Sequence, residues 1–364
     1  MDLIRPLERS DIPEVVSLYE LVSRSGSRTP PPRLGEYFER TLLDHPWADP
    51  EIPSLVYLTP EGRIAGFIGS HVRHLVLDGK PIRLACSGQL VSDPAARSRA
   101  AGALLLRRYF DGPQDVTMTD GATEVVRRIW KGLGGTVAFL NSISWVRPLS
   151  WRSAGNRALE RFGMTAWSPV ARPVLSILQA VADRVPATSL RVDDPKGSTE
   201  DLAPADMLEH LPTFTGHLRL HPDYSEKFLA WLFREMAEVT TRGQLVKRLV
   251  RNERGRLLGW YISYFQPNGI AQVMQVAAKD RDVGAVLDHL FWDARRSGSA
   301  VLTGQLEPAL FESLTKRRCF LHLSGNFLFH SRSPDIANAI LLGQAMLTRL
   351  EGERWMGHHL EPFA

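Results

Sequence analysis

The chain of 364 residues carries 44 Lys and Arg against 40 Asp and Glu, a formal charge of +4 that is too small and too dispersed to mark a nucleic-acid binder. Apolar residues make up 44% and charged residues 23%, which excludes a disordered chain, and the length favours two domains, each able to bury a core. Cys86 and Cys319 stand without metal or disulfide spacing, and no run of about 18 apolar residues occurs, so a reducing cytoplasm is the default location and a membrane span is not expected. Residues 3–7 read as a strand and Ser10 or Asp11 can cap a helix to about Ser23. A Ser/Gly/Pro loop and a second helix around Tyr37 to Leu43 follow. SLVYLT, IAGFIGSHVRHLVL and PIRLACSGQLV are strands joined by the turns PEGR and DGK, an antiparallel meander. SDPAARSRAAGALLLRRYFD turns helical, DVTMTD is a buried strand, and GATEVVRRIWKGLG is a helix with a glycine stop.

A connector rich in Trp, Pro and Arg follows, with one apolar helix, VLSILQAVADRV. Beyond it come two helices (DLAPADMLEHL, DYSEKFLAWLFREM), three strands (QLVKRLVRN, LLGWYISYF, IAQVMQVAA), the helix AVLDHLFWDARRSG, the strand AVLTGQL, the helix LFESLTKRRC and the strand FLHLSGNFLFH. This order repeats that of the first half, and SLVYLTPEGRIAGF resembles RLVRNERGRLLGW, so the period is that of a duplicated domain. The expected units are 1–147, a connector over 148–198, and 199–364.

The segment with chemical content is CSGQLVSDPAARSRAAGALLLRRYF. A strand ends at Ser92, a Pro loop turns the chain, and an Arg-bearing loop opens an amphipathic helix. Backbone N–H groups from Arg97 through Ser98, Arg99, Ala100, Ala101 and Gly102 to Ala103 would face a pyrophosphate at the helix N-terminus, with Arg97 and Arg99 adding charge-assisted contacts. Small side chains at Ser98, Ala100, Ala101 and Gly102 permit close approach of the ligand.

Ser92-Asp93-Pro94, Arg97, Ala100 and Gly102 line up with the Q/R-x-x-G-x-G/A signature of the GCN5-related N-acetyltransferases, and the chain resembles that superfamily over residues 1–145, most specifically over 84–110. Ala100 replaces the first glycine and fits only with negative φ. The resemblance implies an α/β (α+β) class: tandem acyl-CoA N-acyltransferase folds, each a mixed, mostly antiparallel sheet flanked by helices. It implies acetyl-CoA or another acyl-CoA as co-substrate, pantetheine bound along Leu90, Val91 and Ser92, and a small-molecule or peptide amine as acceptor. Trp130 stands where many members carry a tyrosine that protonates the leaving thiolate, a task indole cannot perform.

In the second copy, VMQVAAKDRDVGAVLDHLF is three residues shorter between Val276 and Gly284 than the first copy is between Val91 and Gly102. Asp280 and Asp282 interrupt its basic pair, so no second CoA site is expected. Asp120, closing DVTMTD, is the candidate catalytic base; its alternative role is to cap the helix beyond Gly121. No metal is expected. His71 and His74 point to opposite faces of a strand, Cys319 and His322 share that spacing, and His358 and His359 fall in a charged tail read as surface. Trp145, Trp151, Phe162 and Trp167 alternate with Arg147, Arg152, Arg157 and Arg161, read as interdomain packing ahead of contact with RNA or a membrane. Two other activities share the pattern: a Fem-type transferase using aminoacyl-tRNA, and a catalytically silent binding protein that keeps the fold.

Overall fold

A computed structural model describes residues 4–94, 100–149, 192–323, 327–359 and 361–363. The first meander forms as its pattern requires. Strands β1 (Ile4–Pro6), β2 (Leu55–Leu58), β3 (Ile64–Leu77) and β4 (Lys80–Ser92) pair antiparallel in order. Asp78 and Gly79 take φ of 48° and 80°, the left-handed pair of a two-residue hairpin, which pins the register at Leu77 opposite Lys80. Helix α1 (Ile12–Ser23) and the short helix α2 (Leu34–Phe38) pack on this sheet with Val15, Leu18, Tyr19 and Phe38 inward. Helix α3 (Ala101–Phe110) then leads to β5 (Val116–Thr119), which runs parallel to β4, and α4 (Glu124–Gly132) to β6 (Thr136–Val137). Trp130 lies in the core of this layer, its indole N–H donating to the Phe329 carbonyl at 3.1 Å, so the position offers nothing to a thiolate.

The next strand leaves this sheet. β7 (Ile143–Pro148) enters a second sheet between β13 (Val301–Gln305) and β14 (Phe320–Leu323). That sheet also holds β8 (Ser198–Asp201), β10 (Gln244–Arg251), β11 (Leu257–Phe265) and β12 (Ile270–Ala278), while β9 (Leu220–Pro222) joins the edge of β3 in the first. Helices α5 (Pro204–Thr215), α6 (Glu226–Ala237), α7 (Val283–Arg296) and α8 (Phe311–Lys316) accompany the second sheet. β15 (Leu328–Ser331) crosses back and inserts between β5 and β6, followed by α9 (Pro334–Leu341). The expected single strand FLHLSGNFLFH is therefore two strands in two sheets, Phe320–Leu323 and Leu328–Ser331. Both sheets are mixed and mostly antiparallel, as the duplicated pattern implies. The connector helix expected at residues 174–185 and the aromatic and Arg positions from 151 to 167 lie outside the described residues.

Each core draws on both halves of the sequence. Leu84, Cys86 and Met118 pack with Phe327, Phe329, Ile336 and Leu347, and Trp47 stacks on Phe228 in the core under the second sheet. Phe327, Leu328 and Phe329 are no more than 2% exposed. Burying three such side chains is worth about 5–9 kcal/mol, against a total stability of about 5–15 kcal/mol for a domain. Residues 1–149 expressed alone are expected to lack a cooperative melt and to regain one on co-expression with residues 192–364. A sharp thermal transition in the isolated fragment would contradict the exchange.

Candidate functional site

β4 and β5 are paired only from Leu84 to Cys86 against Val116 to Met118; beyond that they part. Among the described residues, parting leaves the β5-facing backbone of Leu90, Val91 and Ser92 without a strand neighbour, while Val91 and Ser92 remain paired on the other edge to Phe67 and Gly66 of β3. A register break between Phe67 and Gly69 and a φ of 49° at Gln89 mark a bulge at the point of parting. α3 starts next to the strand end, where a Cβ on Gly102 would stand 3.8 Å from the Ser92 hydroxyl, so strand edge and helix N-terminus are adjacent. Ala101 is buried, and Ala103 lies two residues further into the first turn. Arg97, Ser98 and Arg99 lie outside the described residues. Ala100 has φ 53° and ψ 30°, contrary to the expected negative φ. A left-handed alanine costs about 1–2 kcal/mol, and this is the position where the family pattern has glycine.

The C-terminal segment supplies what sequence reading missed. Residues 344–359 run from α9 back through the gap between the sheets and close over the first one. Arg24, the residue that ends α1, holds the segment through the carbonyls of His358 (2.6 Å) and Glu361 (2.8 Å), and its Nε pairs with Glu20. Gly357 donates to the Tyr37 hydroxyl, and Glu361 accepts from Thr241. The tail thus ties α1 and α2 to the second half. His358, expected at the surface, is fully buried; His359 keeps an exposed edge on the cleft wall. The adjacent histidines gave no pattern signal because the segment has no secondary structure to impose a period.

Asp120 and Glu353 meet where β5 ends. The Glu353 N–H donates to Asp120 Oδ1 at 2.9 Å, and Arg354 Nε donates to the Asp120 carbonyl. Asp120 does not cap α4; Thr123 does, its hydroxyl accepting from the Val126 N–H. Burial pushes the Asp120 carboxyl up to about 6, with Arg354 opposing and Glu353 adding to the rise. Burial likewise raises Glu353. Burial and the Arg242 and Arg24 guanidiniums hold His358 down at about 3, so its imidazole is neutral. His71 on β3 is also neutral, pushed down to about 3 by burial and Arg73. Gly88 makes room for these groups, since a Cβ there would lie 2.7 Å from Glu353 Oε2 and 3.1 Å from His71 Nε2.

The corresponding gap in the second sheet is filled by the chain itself. β12 and β13 pair only from Ile270 to Gln272 against Val301 to Thr303. Past that point Arg349 donates to the Val273 carbonyl at 3.1 Å, and the Val276 backbone hydrogen-bonds Glu307. Gln275 is taken up by Tyr224 and Thr348. At the start of α7, Asp282 is paired with Arg256 at 2.8 Å, which puts a carboxylate where a phosphate would have to sit.

No family model matches the chain, and no curated protein matches it in sequence. Solved structures do match in shape. A conserved protein of unknown function from Enterococcus faecalis, described as a probable N-acyltransferase, superposes with a TM-score of 0.58 at 11% identity, over 90% of this chain and 71% of that one. The fold is that of the GCN5-related N-acyltransferases, in tandem. A GCN5-related N-acetyltransferase from Anabaena variabilis gives 0.56 at 12% identity, over 90% and 72%. The Saccharomyces cerevisiae N-myristoyltransferase with bound myristoyl-CoA gives 0.51 at 11%, over 90% and 83%. In this tandem GCN5-related fold, among the described residues, the parted strands of the first sheet keep an open edge and those of the second do not. Among the described residues, no helix is long and apolar enough to cross a membrane.

Crowding at Gly88 yields a direct test. Gly88→Ala should displace Glu353 and cost about 1–3 kcal/mol, as over-packing of a filled site does. A thermal melt several degrees below wild type is the expected result, and an unchanged melting temperature would show that the carboxylate is not held there.

Proposed function

We propose that the protein transfers an acyl group from an acyl-CoA, most simply acetyl-CoA, to a primary amine on a small molecule or peptide. The observation that carries this reading is the open backbone edge at Leu90, Val91 and Ser92, leading to the N-terminus of α3, in the first sheet alone. Such an edge can take the amides of a pantetheine arm as it would take a strand, and the helix start favours the pyrophosphate. The loop cations Arg97 and Arg99 complete the anion site in this reading. The filled gap of the second sheet, with Arg349 on Val273 and Asp282 at the helix start, supports one coenzyme per chain. A thioester carried at the end of β4 would lie beside Gln89, with the amine entering from the side of Asp120.

Little beyond orientation is asked of such a site, because an amine attacks a thioester without a covalent enzyme intermediate. Asp120 is the carboxylate we assign to meet the acceptor's ammonium. Its Oδ2 is buried without a hydrogen-bond partner among the described residues, and the end of β5 fixes its position. Neither cysteine competes as a nucleophile: both are buried, and burial raises both thiols.

Calorimetric titration of the full chain with acetyl-CoA and with myristoyl-CoA tests the reading. One site per chain is expected for at least one of them, and Arg97→Ala with Arg99→Ala should weaken it by about 1–3 kcal/mol for each contact made. Asp120→Asn should leave that affinity unchanged while lowering turnover of an accepted amine at least tenfold. Absence of binding by both thioesters, or a stoichiometry of two, would overturn the assignment.

A further inference from the structure

His71, Gln89 and His358 form a buried chain whose protonation can be worked out. The structure places Gln89 Oε1 3.1 Å from His71 Nε2, and Gln89 Nε2 3.1 Å from His358 Nδ1. His71 Nδ1 stands 3.2 Å from the Thr41 carbonyl, which can only accept, so that nitrogen carries the proton. Neutral His71 then has a bare lone pair at Nε2, and an amide oxygen there would set two acceptors face to face. A half-turn of the Gln89 amide occupies the same space and restores a donor to each acceptor. The NH2 group donates to His71, and the oxygen accepts the Nδ1–H of His358. His358 Nε2 is thereby left as a bare lone pair.

That lone pair has company. It stands 3.6 Å from Glu353 Oε2, beyond hydrogen-bond range; both atoms are buried, His358 Nε2 has no hydrogen-bond partner among the described residues, and the Glu353 carboxylate also draws on the Gln89 backbone N–H. The other carboxylate oxygen of Glu353 accepts from the Thr119 hydroxyl. His359 Nδ1 is 2.8 Å from the Tyr19 hydroxyl, which leaves its Nε2 free to ligate. Glu353, His358 and His359 offer ligand atoms that all lie within 4.8 Å of one another. Each is held from behind by a polar group, as metal-binding histidines and carboxylates are.

We infer that Glu353, His358 and His359 bind a divalent cation of the zinc type. Two ligands about 2.0–2.1 Å from a tetrahedral zinc ion stand about 3.3–3.5 Å apart, close to the 3.6 Å between His358 Nε2 and Glu353 Oε2. His359 is exposed, and its ligand atom, within 4.8 Å of the other two, moves closer to complete the set. Two imidazoles and a carboxylate suit zinc, cobalt or nickel better than magnesium or calcium. Three protein ligands leave a fourth position, and the exposed edge of His359 puts it toward solvent. A single proton shared by Glu353 and His358 is the rival occupant; it would draw them below about 3.2 Å and leave His359 out.

The test uses the full chain without a polyhistidine tag, stripped with chelator and titrated with Co(II) in the absence of any thioester, so its outcome is independent of acyl transfer. Visible d–d absorbance saturating at one Co(II) per chain, displaced by Zn(II), is expected. Glu353→Gln and His358→Ala should each weaken binding at least tenfold. His359→Ala, at an exposed position, should do the same without loss of fold. No bound Co(II) at micromolar concentrations, or variants that bind as tightly as wild type, would overturn the site.

Discussion

Each sheet is completed by a strand from the other half of the chain, and everything else in the molecule follows from that exchange. β15 brings Leu328 opposite Thr119 in the first sheet, and β7 brings Gly304 opposite Trp145 in the second. A strand inside a sheet satisfies backbone groups on both its edges, so withdrawing either would leave two rows of buried N–H and C=O groups unpaired. The two duplicated units are therefore locked in one relative placement by hydrogen bonds as well as by side-chain packing. Such a lock gives a fixed gap between the sheets for residues 344–359 to thread.

Threading makes the two copies chemically unequal. Parting strands are a feature of both sheets, yet Arg349 and Glu307 satisfy the exposed backbone of β12, whereas Leu90, Val91 and Ser92 remain open on one side. Further along, the same segment delivers Glu353 and His358 to the floor of the first site. Arg24 anchors it at the far end. One stretch of chain thus fills the gap in the second sheet and lines the gap in the first.

Much of the fold was legible because hydrophobic period and turn chemistry agree locally. The Asp78–Gly79 hairpin, the three-strand meanders and the helices at 101–110 and 283–296 all stand where alternation and glycine signals put them. The exchange was hidden because pairing partners are nonlocal: FLHLSGNFLFH carries the composition of one strand, and nothing in its pattern says that its ends belong to different sheets. Of the candidate site, Leu90 to Ser92 and Gly102 stand together as the motif implies, while Ala100 adopts the glycine-like φ that composition argued against. Asp120 lost its expected capping role to Thr123, three residues on, since the helix begins later than Gly121 suggested. His358 and His359 were unreadable as site residues because a tail without period gives no face, and burial was decided by Arg24, some 330 residues away.

The central claim is that the first copy alone receives the coenzyme along its open strand edge. Amide hydrogen exchange of the full chain, with and without a saturating acyl-CoA, tests it most directly. The account expects new protection confined to residues 89–92 and the first turn of the helix at 101–106, with none over 273–287. Protection of the second-sheet segment, or no change at residues 89–92 when ligand is bound, would contradict it.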